Sequence, residues 1–134
     1  MLRGEPAPTS DGLQVRDYLY VEDIALALYH IMGSDVNGSV NVASGLPVTL
    51  RQIIETIGEV VGRPELLRIG EIPRAVGDTE MVVADISKLA AAGFSPEFSL
   101  EEGLGATVEY WSQRLGLPYD NSKYLSDSTQ IGKN

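Results

Sequence analysis

The stretch VRDYLYVED, residues 15–23, sets an arginine beside an aspartate in a run that otherwise has the pattern of a buried strand. From Leu13 to Val21 apolar residues alternate with polar or aromatic ones, which predicts a strand with two different faces. The polar and aromatic face is formed by Gln14, Arg16, Tyr18 and Tyr20. Asp17 then falls on the apolar face. We therefore expect its carboxylate to accept hydrogen bonds from backbone amides or from an arginine.

Arg16 is the first candidate ligand-binding residue. A guanidinium on a strand face offers a planar fork of donors that suits a phosphate or a diphosphate. Gln14 and Tyr18 flank it and are candidate contacts for the same ligand. The alternative is a salt bridge to a surface carboxylate, which composition alone favours. Arg74, in a loop punctuated by proline and glycine, is a second candidate, and its alternative is an ordinary exposed loop residue.

Working outward, the sequence predicts four helices. Thr49 with Gln52 and Ser99 with Glu102 have the spacing of capping boxes, and glycines mark the helix ends. Glu22 and Asp23 suit the start of the first helix, since acidic groups complement the helix dipole there. The predicted helices run from about residue 22 to 33, from 49 to 62, from 85 to 93 and from 99 to 116.

The strands are predicted to be few and short. Besides the first, the candidates are residues 40–43, 66–72 and 81–84, the second of these weakened by Gly70. The first dozen residues have the pattern of an extended segment that does not form a stable element of its own. We therefore expect a small mixed α/β domain over residues 1–116, with about four helices and three to four short strands. A flexible tail is expected over 117–134.

Composition limits the choice of partners. A net charge of -9 argues against general nucleic-acid binding, so an anionic ligand would need a local basic pocket. The candidate side chains for that pocket are Arg16, Arg51, Arg63, Arg68 and Arg74. Zero cysteines exclude disulfides and thiolate metal sites. With no long apolar run and no apolar centre of a secretory signal, we expect no membrane contact and a cytoplasmic location.

Catalytic motifs are weak in this sequence. No G-x-G-x-x-G and no P-loop follows a predicted strand. Tyr119 and Lys123 have the Y-x-x-x-K spacing by which a lysine lowers the pKa of a catalytic tyrosine, but Pro118 and the following DNS predict no helix to align them. We expect this pair not to be catalytic. The single histidine, His30, lies within the first predicted helix, and we expect a structural role for it.

Three ordered segments together are similar to one known family. They are VRDYLYVEDIALAL, GSVNVASGLPVTLRQIIETI and GDTEMVVADISKLAAAGFSPEFSLEEGLGATVEYW. They resemble the C-terminal portion of extended short-chain dehydrogenase/reductases, the NAD-dependent nucleotide-sugar epimerases and dehydratases. The resemblance implies a small domain that grips a nucleotide-diphosphate sugar. It also implies an N-terminal Rossmann domain, carrying NAD and the catalytic Tyr/Lys pair, which these segments do not include.

The resemblance also gives roles to single residues. The arginine of the family's RDY motif, here Arg16, is expected to contact the diphosphate. A second arginine is expected in the loop that Gly77 and Asp78 match, but Ala75 holds that position and Arg74 stands one residue early. The segment at 40–43 corresponds to a strand that usually joins the Rossmann sheet. Apolar faces are therefore expected to lack a partner, which favours self-association or a separate Rossmann half.

The sequence thus predicts a nucleotide-sugar-binding portion of an epimerase or dehydratase that is catalytically incomplete alone. It predicts no cofactor bound by this chain by itself, although NAD(P) is implied for the full-length family member. A fragment or a truncated reading frame is the simplest interpretation. Two alternatives stay open: a non-enzymatic protein-interaction module on the same scaffold, and one half of a split enzyme.

Overall fold

The computed structural model describes residues 1–119. Within this range the chain forms four helices and four short strands, which confirms the small mixed α/β fold class. The helices are α1 (Val21–Met32), α2 (Leu50–Val61), α3 (Ser87–Ala91) and α4 (Leu100–Leu115). The strands are β1 (Ala7–Thr9), β2 (Val15–Asp17), β3 (Pro47–Thr49) and β4 (Leu67–Ile69), with a 3-10 turn at Pro64–Leu66.

Both predicted capping boxes are confirmed. The Thr49 side chain accepts from the backbone N–H of Gln52, and the Gln52 side chain accepts from the backbone of Thr49 in return. Ser99 and Glu102 make the same reciprocal pair at the start of α4. These contacts satisfy N–H groups that have no partner inside the helix, which is why both helices begin where the sequence predicts.

Helix α1 is confirmed, but most of its apolar stripe lies on the surface. Ala27 is fully buried, whereas Leu28 is 50% exposed and Met32 is 79% exposed. Ile24 and Val21, one and two turns before Leu28 on the same side, are also exposed. This exposed stripe on α1 fits the expectation of an apolar face without a partner.

Helix α1 packs inward through a small cluster and through one buried acid. Ala27, Leu89 and Phe94 form the cluster. Asp23, only 1% exposed, accepts hydrogen bonds from the backbone N–H groups of residue 97 at 2.8 Å and residue 98 at 3.3 Å. The acid therefore does more than complement the helix dipole: it fastens the start of α1 to the segment leading into α4.

Strand β2 has neighbours on both sides. It pairs antiparallel with β3, with Val15 opposite Thr49. On its other edge, the Val15 N–H donates to the carbonyl of Glu80 at 2.7 Å, and its carbonyl accepts from the Val82 N–H at 3.0 Å. The prediction of a strand at 81–84 is therefore wrong, because pairing there is limited to one bridge, between Val15 and Met81.

The remaining strands differ from the prediction for a common reason. Strand β1, in the segment predicted only as extended, pairs parallel with β4 across about 60 residues of chain. Strand β3 lies where the sequence predicted no strand; it begins at Pro47, and proline is tolerated at the first residue of a strand. The predicted strand at 40–43 is not a strand, and Val40 and Val42 pack instead against the cluster under α1. Each difference depends on partners distant in sequence.

Helices α2 and α4 pack against each other and supply the rest of the core. The apolar side chains buried on them are Ile53, Val60 and Val108. No helix within residues 1–119 is long and apolar enough to cross a bilayer. The division into a domain over 1–116 and a tail stays a prediction, since the chain from residue 120 onward lies outside the described residues.

Candidate ligand-binding site

Arg16 projects from β2 and is tied to two groups. One terminal nitrogen forms an ion pair with Asp78, and the other donates to the Val15 carbonyl at 2.7 Å. The Arg16 side chain keeps 25% of its exposure. Because a guanidinium carries five N–H donors and these two bonds use two, three donors remain for a ligand. The salt bridge that composition favoured is thus present, and it orients the group without saturating it.

Arg74 is paired as well. Its Nε donates to the Asp11 carboxylate at 2.6 Å, and this contact lowers the pKa of Asp11 and raises the pKa of Arg74. The charges of Glu80 and Asp78 favour the Arg74 cation in the same direction. Arg74 therefore belongs to the same group of charges as Arg16, with Asp78 close to both.

A third arginine completes this arrangement. Arg51, in the first turn of α2, donates from Nε to the Asp11 backbone carbonyl at 3.0 Å. Asp11 thus contacts both Arg51 and Arg74, while Asp78 contacts Arg16. We call Arg16, Arg51 and Arg74 the arginine cluster. Sequence reasoning missed Asp11, whose side-chain partner is 63 positions away and which locally reads as a turn residue.

Asp17 is confirmed as an acceptor of backbone amides. Its carboxylate accepts from the Ser44 N–H at 2.8 Å, the Ser44 hydroxyl at 2.6 Å, the Gly45 N–H at 2.9 Å and the Ala84 N–H at 3.3 Å. Burial by itself raises the pKa of Asp17, but the hydrogen bonds from Ser44, Ala84 and Gly45 outweigh it and lower the pKa. The acid joins β2 to two loops rather than to the helix that follows.

The lowered pKa of Asp17 predicts acid sensitivity. A carboxylate whose folded-state pKa lies below its unfolded value stabilises the fold above the ordinary pKa of about 3.9 and loses that contribution as the pH falls through the folded value. We expect the free energy of unfolding, measured by urea titration, to fall between about pH 5 and pH 2. Asp17→Asn should flatten part of that slope. Identical slopes in the two proteins would contradict this assignment.

Gln14 and Tyr18 lie apart from one another, although alternation placed them on one face. Gln14 is only 8% exposed, and its Oε1 has no hydrogen-bond partner within residues 1–119. Tyr18, beyond the end of β2, is 38% exposed and lines a separate apolar cavity. Strand β2 ends at Asp17, so the predicted two-residue alternation has a regular strand beneath it only from Val15 to Asp17.

The apolar cavity lies between the start of α1 and α4 and has a volume of about 380 Å³. Tyr18, Tyr20, Phe98 and Leu104 are among its walls. The rings of Tyr20 and Phe98 pack with centroids 4.8 Å apart. The arginine cluster does not line it. No local signal reveals this cavity, because its two sides come from segments about 80 residues apart.

The described residues do not fit the pyrophosphate of NAD. A helix N-terminus that binds phosphate needs unpaired N–H groups and no competing acid. The first turns of α1 and α4 carry two acids each. In α2, the N–H groups of Leu50, Arg51 and Gln52 already donate to the carbonyls of Gln14 and Gly12 and to the Thr49 hydroxyl. Helix α3 has only five residues.

His30 and the Tyr119 and Lys123 pair are the other candidates from the sequence, and the structure describes His30 fully. His30 meets the rings of Tyr29 and Phe94 edge-on, with centroids 6.0 Å and 6.3 Å away, which agrees with a structural role. Residues 1–119 contain no group of three or more metal-ligating side chains. Lys123 lies outside the described residues, so the expectation that the Tyr119 and Lys123 pair is not catalytic stays a prediction.

The chain is similar in sequence to part of several known proteins. The chain is 34% identical over 110 residues to the low-salt glycan biosynthesis protein Agl12 of Haloferax volcanii, covering 81% of this chain and 35% of that protein. It is 33% identical over 130 residues to the UDP-glucose 4-epimerase of Halalkalibacterium halodurans, covering 92% of this chain and 37% of the relative. No protein-family model matches.

Solved structures of nucleotide-sugar epimerases are similar to this chain as well. The crystal structure of UDP-glucose 4-epimerase with UDP-glucose from Thermotoga maritima matches with a TM-score of 0.76 and 35% identity, covering 86% of this chain and 37% of that one. The relatives and structural neighbours of this chain are therefore NAD-dependent nucleotide-sugar epimerases and dehydratases. The chain spans about a third of the length of the curated relatives it matches.

Proposed function

We propose that residues 1–116 are the nucleotide-sugar-binding portion of an NAD-dependent epimerase or dehydratase, and that Arg16 meets the diphosphate. One observation carries the proposal: Asp78 bonds Arg16, and this contact draws the loop that contains Arg74 onto β2. Asp11 in turn contacts both Arg51 and Arg74, so three arginines and two aspartates are linked on a chain whose net charge is -9. Guanidinium donors linked in this way suit the binding of a compact anion.

The ion pairs of the cluster are compatible with a ligand. Arg16 and Asp78 are both about a quarter exposed, and exposed pairs contribute little to stability. A diphosphate can therefore use the remaining donors of Arg16 at small cost to the fold. The related Thermotoga maritima epimerase was solved with UDP-glucose, which supports a nucleotide sugar as the ligand class.

We propose further that this chain does not catalyse the reaction by itself. Its described helix N-termini do not suit the cofactor pyrophosphate, and its sequence lacks the glycine-rich fingerprint. The residues that handle hydride transfer in the relatives would then lie in the two thirds of their length that this chain does not match. This chain would then supply the binding of the nucleotide sugar, and the part of the relatives that it does not match would supply the chemistry.

The exposed stripe on α1 is a candidate surface for a protein partner. The exposed stripe on α1 consists of Val21, Ile24, Leu28 and Met32, spaced three or four residues apart along one side of the helix. Such a stripe usually packs against another element. It supports association with a Rossmann half or with a second copy of this chain. An interaction module with an idle ligand site remains the alternative.

Titration with sugar nucleotides tests the proposal. We expect one or more of UDP-, GDP-, CDP- and dTDP-sugars to bind in calorimetry, and Arg16→Ala to weaken that binding about 10- to 100-fold, because it removes charge-assisted hydrogen bonds. Arg68→Ala is the matched control. It removes the same charge from an exposed arginine whose contacts are carbonyls of its own segment, Glu65 and Leu67. Affinity should be nearly unchanged there.

Two outcomes would count against the proposal. If none of the four nucleotide sugars binds to the folded chain, the interaction-module alternative is favoured. If Arg16→Ala and Arg68→Ala weaken binding equally, the effect is general electrostatics and Arg16 has no specific contact.

A further inference from the structure

The loop that follows α1 contains an asparagine directly before a glycine, Asn37 and Gly38. Such a pair is typical of a tight turn, because glycine adopts a positive φ without strain. Gly38 has a φ of 80°, but residues 35–40 belong to no helix or strand. The pair therefore lies in an irregular loop, and both of its residues are exposed to solvent.

The hydrogen bonds of this loop leave two reactive groups free. The Lys88 ammonium donates to the Ser39 carbonyl at 3.0 Å and lies 3.5 Å from the Asn37 carbonyl, so it holds the loop through acceptors. The Asn37 side chain donates from its amide nitrogen to the Asp35 carbonyl at 2.9 Å. Within residues 1–119 the N–H of Gly38 donates no hydrogen bond. The Gly38 nitrogen and the side-chain amide carbon of Asn37 are thus both accessible.

These two groups can react with each other. When the Gly38 nitrogen loses its proton to hydroxide, it can attack Cγ of Asn37. A new N–C bond closes a succinimide ring, the bond from Cγ to the side-chain nitrogen breaks, and ammonia leaves with a proton taken from water. Water then opens the ring at either of its carbonyls, which gives aspartate or isoaspartate. Because attacker and target are adjacent in the chain, the reaction is intramolecular and needs no enzyme.

Two features of the loop favour this reaction. Gly38 has no Cβ to crowd the attacking nitrogen. The Lys88 Nζ lies 3.7 Å from the position that a Cβ of Gly38 would take, so a positive charge stands close to this nitrogen. An opposite charge at this range stabilises the anion that forms on the nitrogen and the carboxylate that follows.

Asn41 offers an internal comparison in the same segment of chain. It is exposed as well, and its side chain donates to the Asp85 carbonyl at 3.0 Å. The residue after it is Val42, which packs against the cluster under α1. A branched side chain crowds its own backbone nitrogen and restricts rotation there. Asn41 should therefore react much more slowly than Asn37.

We infer that Asn37 is a site of spontaneous deamidation, converted to aspartate and isoaspartate without an enzyme. Each event adds one negative charge beside Lys88, on a chain whose net charge is already -9. In the isoaspartate product the main chain passes through the former side chain, which lengthens the loop that Lys88 holds. This inference is independent of the proposed ligand.

Incubation of the purified chain at neutral and at mildly alkaline pH tests the inference. Peptide fragmentation in a mass spectrometer locates each converted residue. We expect Asn37 to convert and Asn41 to convert at least about tenfold more slowly. The Asn37 rate should rise with pH, since the attacking nitrogen must first lose its proton. On anion exchange the converted chain should elute with Asn37→Asp, which carries the same added charge.

Two variants identify the reacting groups. Gly38→Ala should slow conversion of Asn37 at least about tenfold, because the added methyl crowds the nitrogen. Asn37→Gln keeps an amide but must close a larger ring, so it should resist conversion even if Gly38→Ala does not fold. Asn41→Gln is the matched control and should leave the Asn37 rate unchanged.

Three results would overturn the inference. If Asn37 stays intact in the folded chain but converts when the chain is unfolded in urea, the fold protects the loop. Equal rates at Asn37 and Asn41 would show that the glycine and the lysine give no advantage. An unchanged Asn37 rate in folded Gly38→Ala would exclude an attack that depends on an uncrowded nitrogen.

Discussion

Asp17→Ala is expected to lower the free energy of unfolding by about 3 to 5 kcal/mol, because it leaves several hydrogen-bond donors without an acceptor at once. The carboxylate accepts from the hydroxyl and the N–H of Ser44 and from the N–H groups of Gly45 and Ala84. Each donor left unsatisfied in a partly buried place costs about 1 to 3 kcal/mol. Since a domain of this size is stable by only about 5 to 15 kcal/mol, the variant should unfold at a much lower urea concentration.

Ser44→Ala is the graded control for Asp17. It removes the hydroxyl that donates at 2.6 Å and that also accepts from the Leu46 N–H at 3.1 Å, but it leaves the three backbone donors, at residues 44, 45 and 84, paired with the acid. We expect a loss of about 1 to 2 kcal/mol in the same urea titration. If Ser44→Ala were as damaging as Asp17→Ala, the backbone amides would contribute nothing and the acid would act through the serine alone.

Gly12→Ala is expected to destabilise the fold by about 3 kcal/mol through two independent effects. Gly12 has a φ of 69°, in the left-handed region that disfavours a side chain by about 1 to 2 kcal/mol. A Cβ there would also lie 2.7 Å from the backbone nitrogen of Arg51 and 2.8 Å from its Cα. Because those atoms are backbone at the start of α2, relief requires moving the helix, at about 1 to 3 kcal/mol more.

Gly62→Ala separates the two effects. Gly62 ends α2 with a φ of 72°, close to that of Gly12, but a Cβ built there meets nothing within 4 Å. The control should therefore show only the conformational cost, about 1 to 2 kcal/mol. Equal losses in the two variants, measured by thermal or urea unfolding, would mean that the close approach of Gly12 to Arg51 does not constrain the fold.

Gly12 also matters for the candidate site. It lies between Asp11, which contacts Arg51 and Arg74, and the strand that carries Arg16. Displacing α2 from Gly12 should therefore move Arg51 relative to Asp11. The same residue limits both the stability of the fold and the geometry of the arginine cluster.

How far local sequence decides structure is clearest at the helices. Thr49 and Ser99 begin α2 and α4 because their hydroxyls bond N–H groups three residues away, so everything needed is within one turn. The expectation of an unpartnered apolar face followed from the family resemblance rather than from local pattern, and the exposure of Met32 agrees with it. Asp17 as an acceptor of amides followed from alternation and the cost of burying a lone charge.

The strands and the site show where such reasoning stops. Strands β1 and β4 pair across some 60 residues, and three-residue strands have too little pattern of their own to indicate a partner. Of the alternating stretch around VRDYLYVED, only the three residues Val15–Asp17 form a strand. Tyr18 lines the apolar cavity, and Gln14 is buried. Burial on a strand depends on what covers each face, which the strand itself does not encode.

The sequence by itself predicted the class of fold, the capped helices and the role of Asp17 as a hydrogen-bond acceptor, all of which the structure confirms. All of these depend on chemistry within a few residues or on the cost of burying a charge. Only the tertiary structure decided that Asp78 pairs with Arg16, that Asp11 joins Arg51 to Arg74, and that the Gln14 oxygen is buried without a partner among residues 1–119. The physical reason is that these relations join residues about 35 to 65 positions apart, or depend on neighbours supplied from that far, and so arise from packing rather than from local pattern.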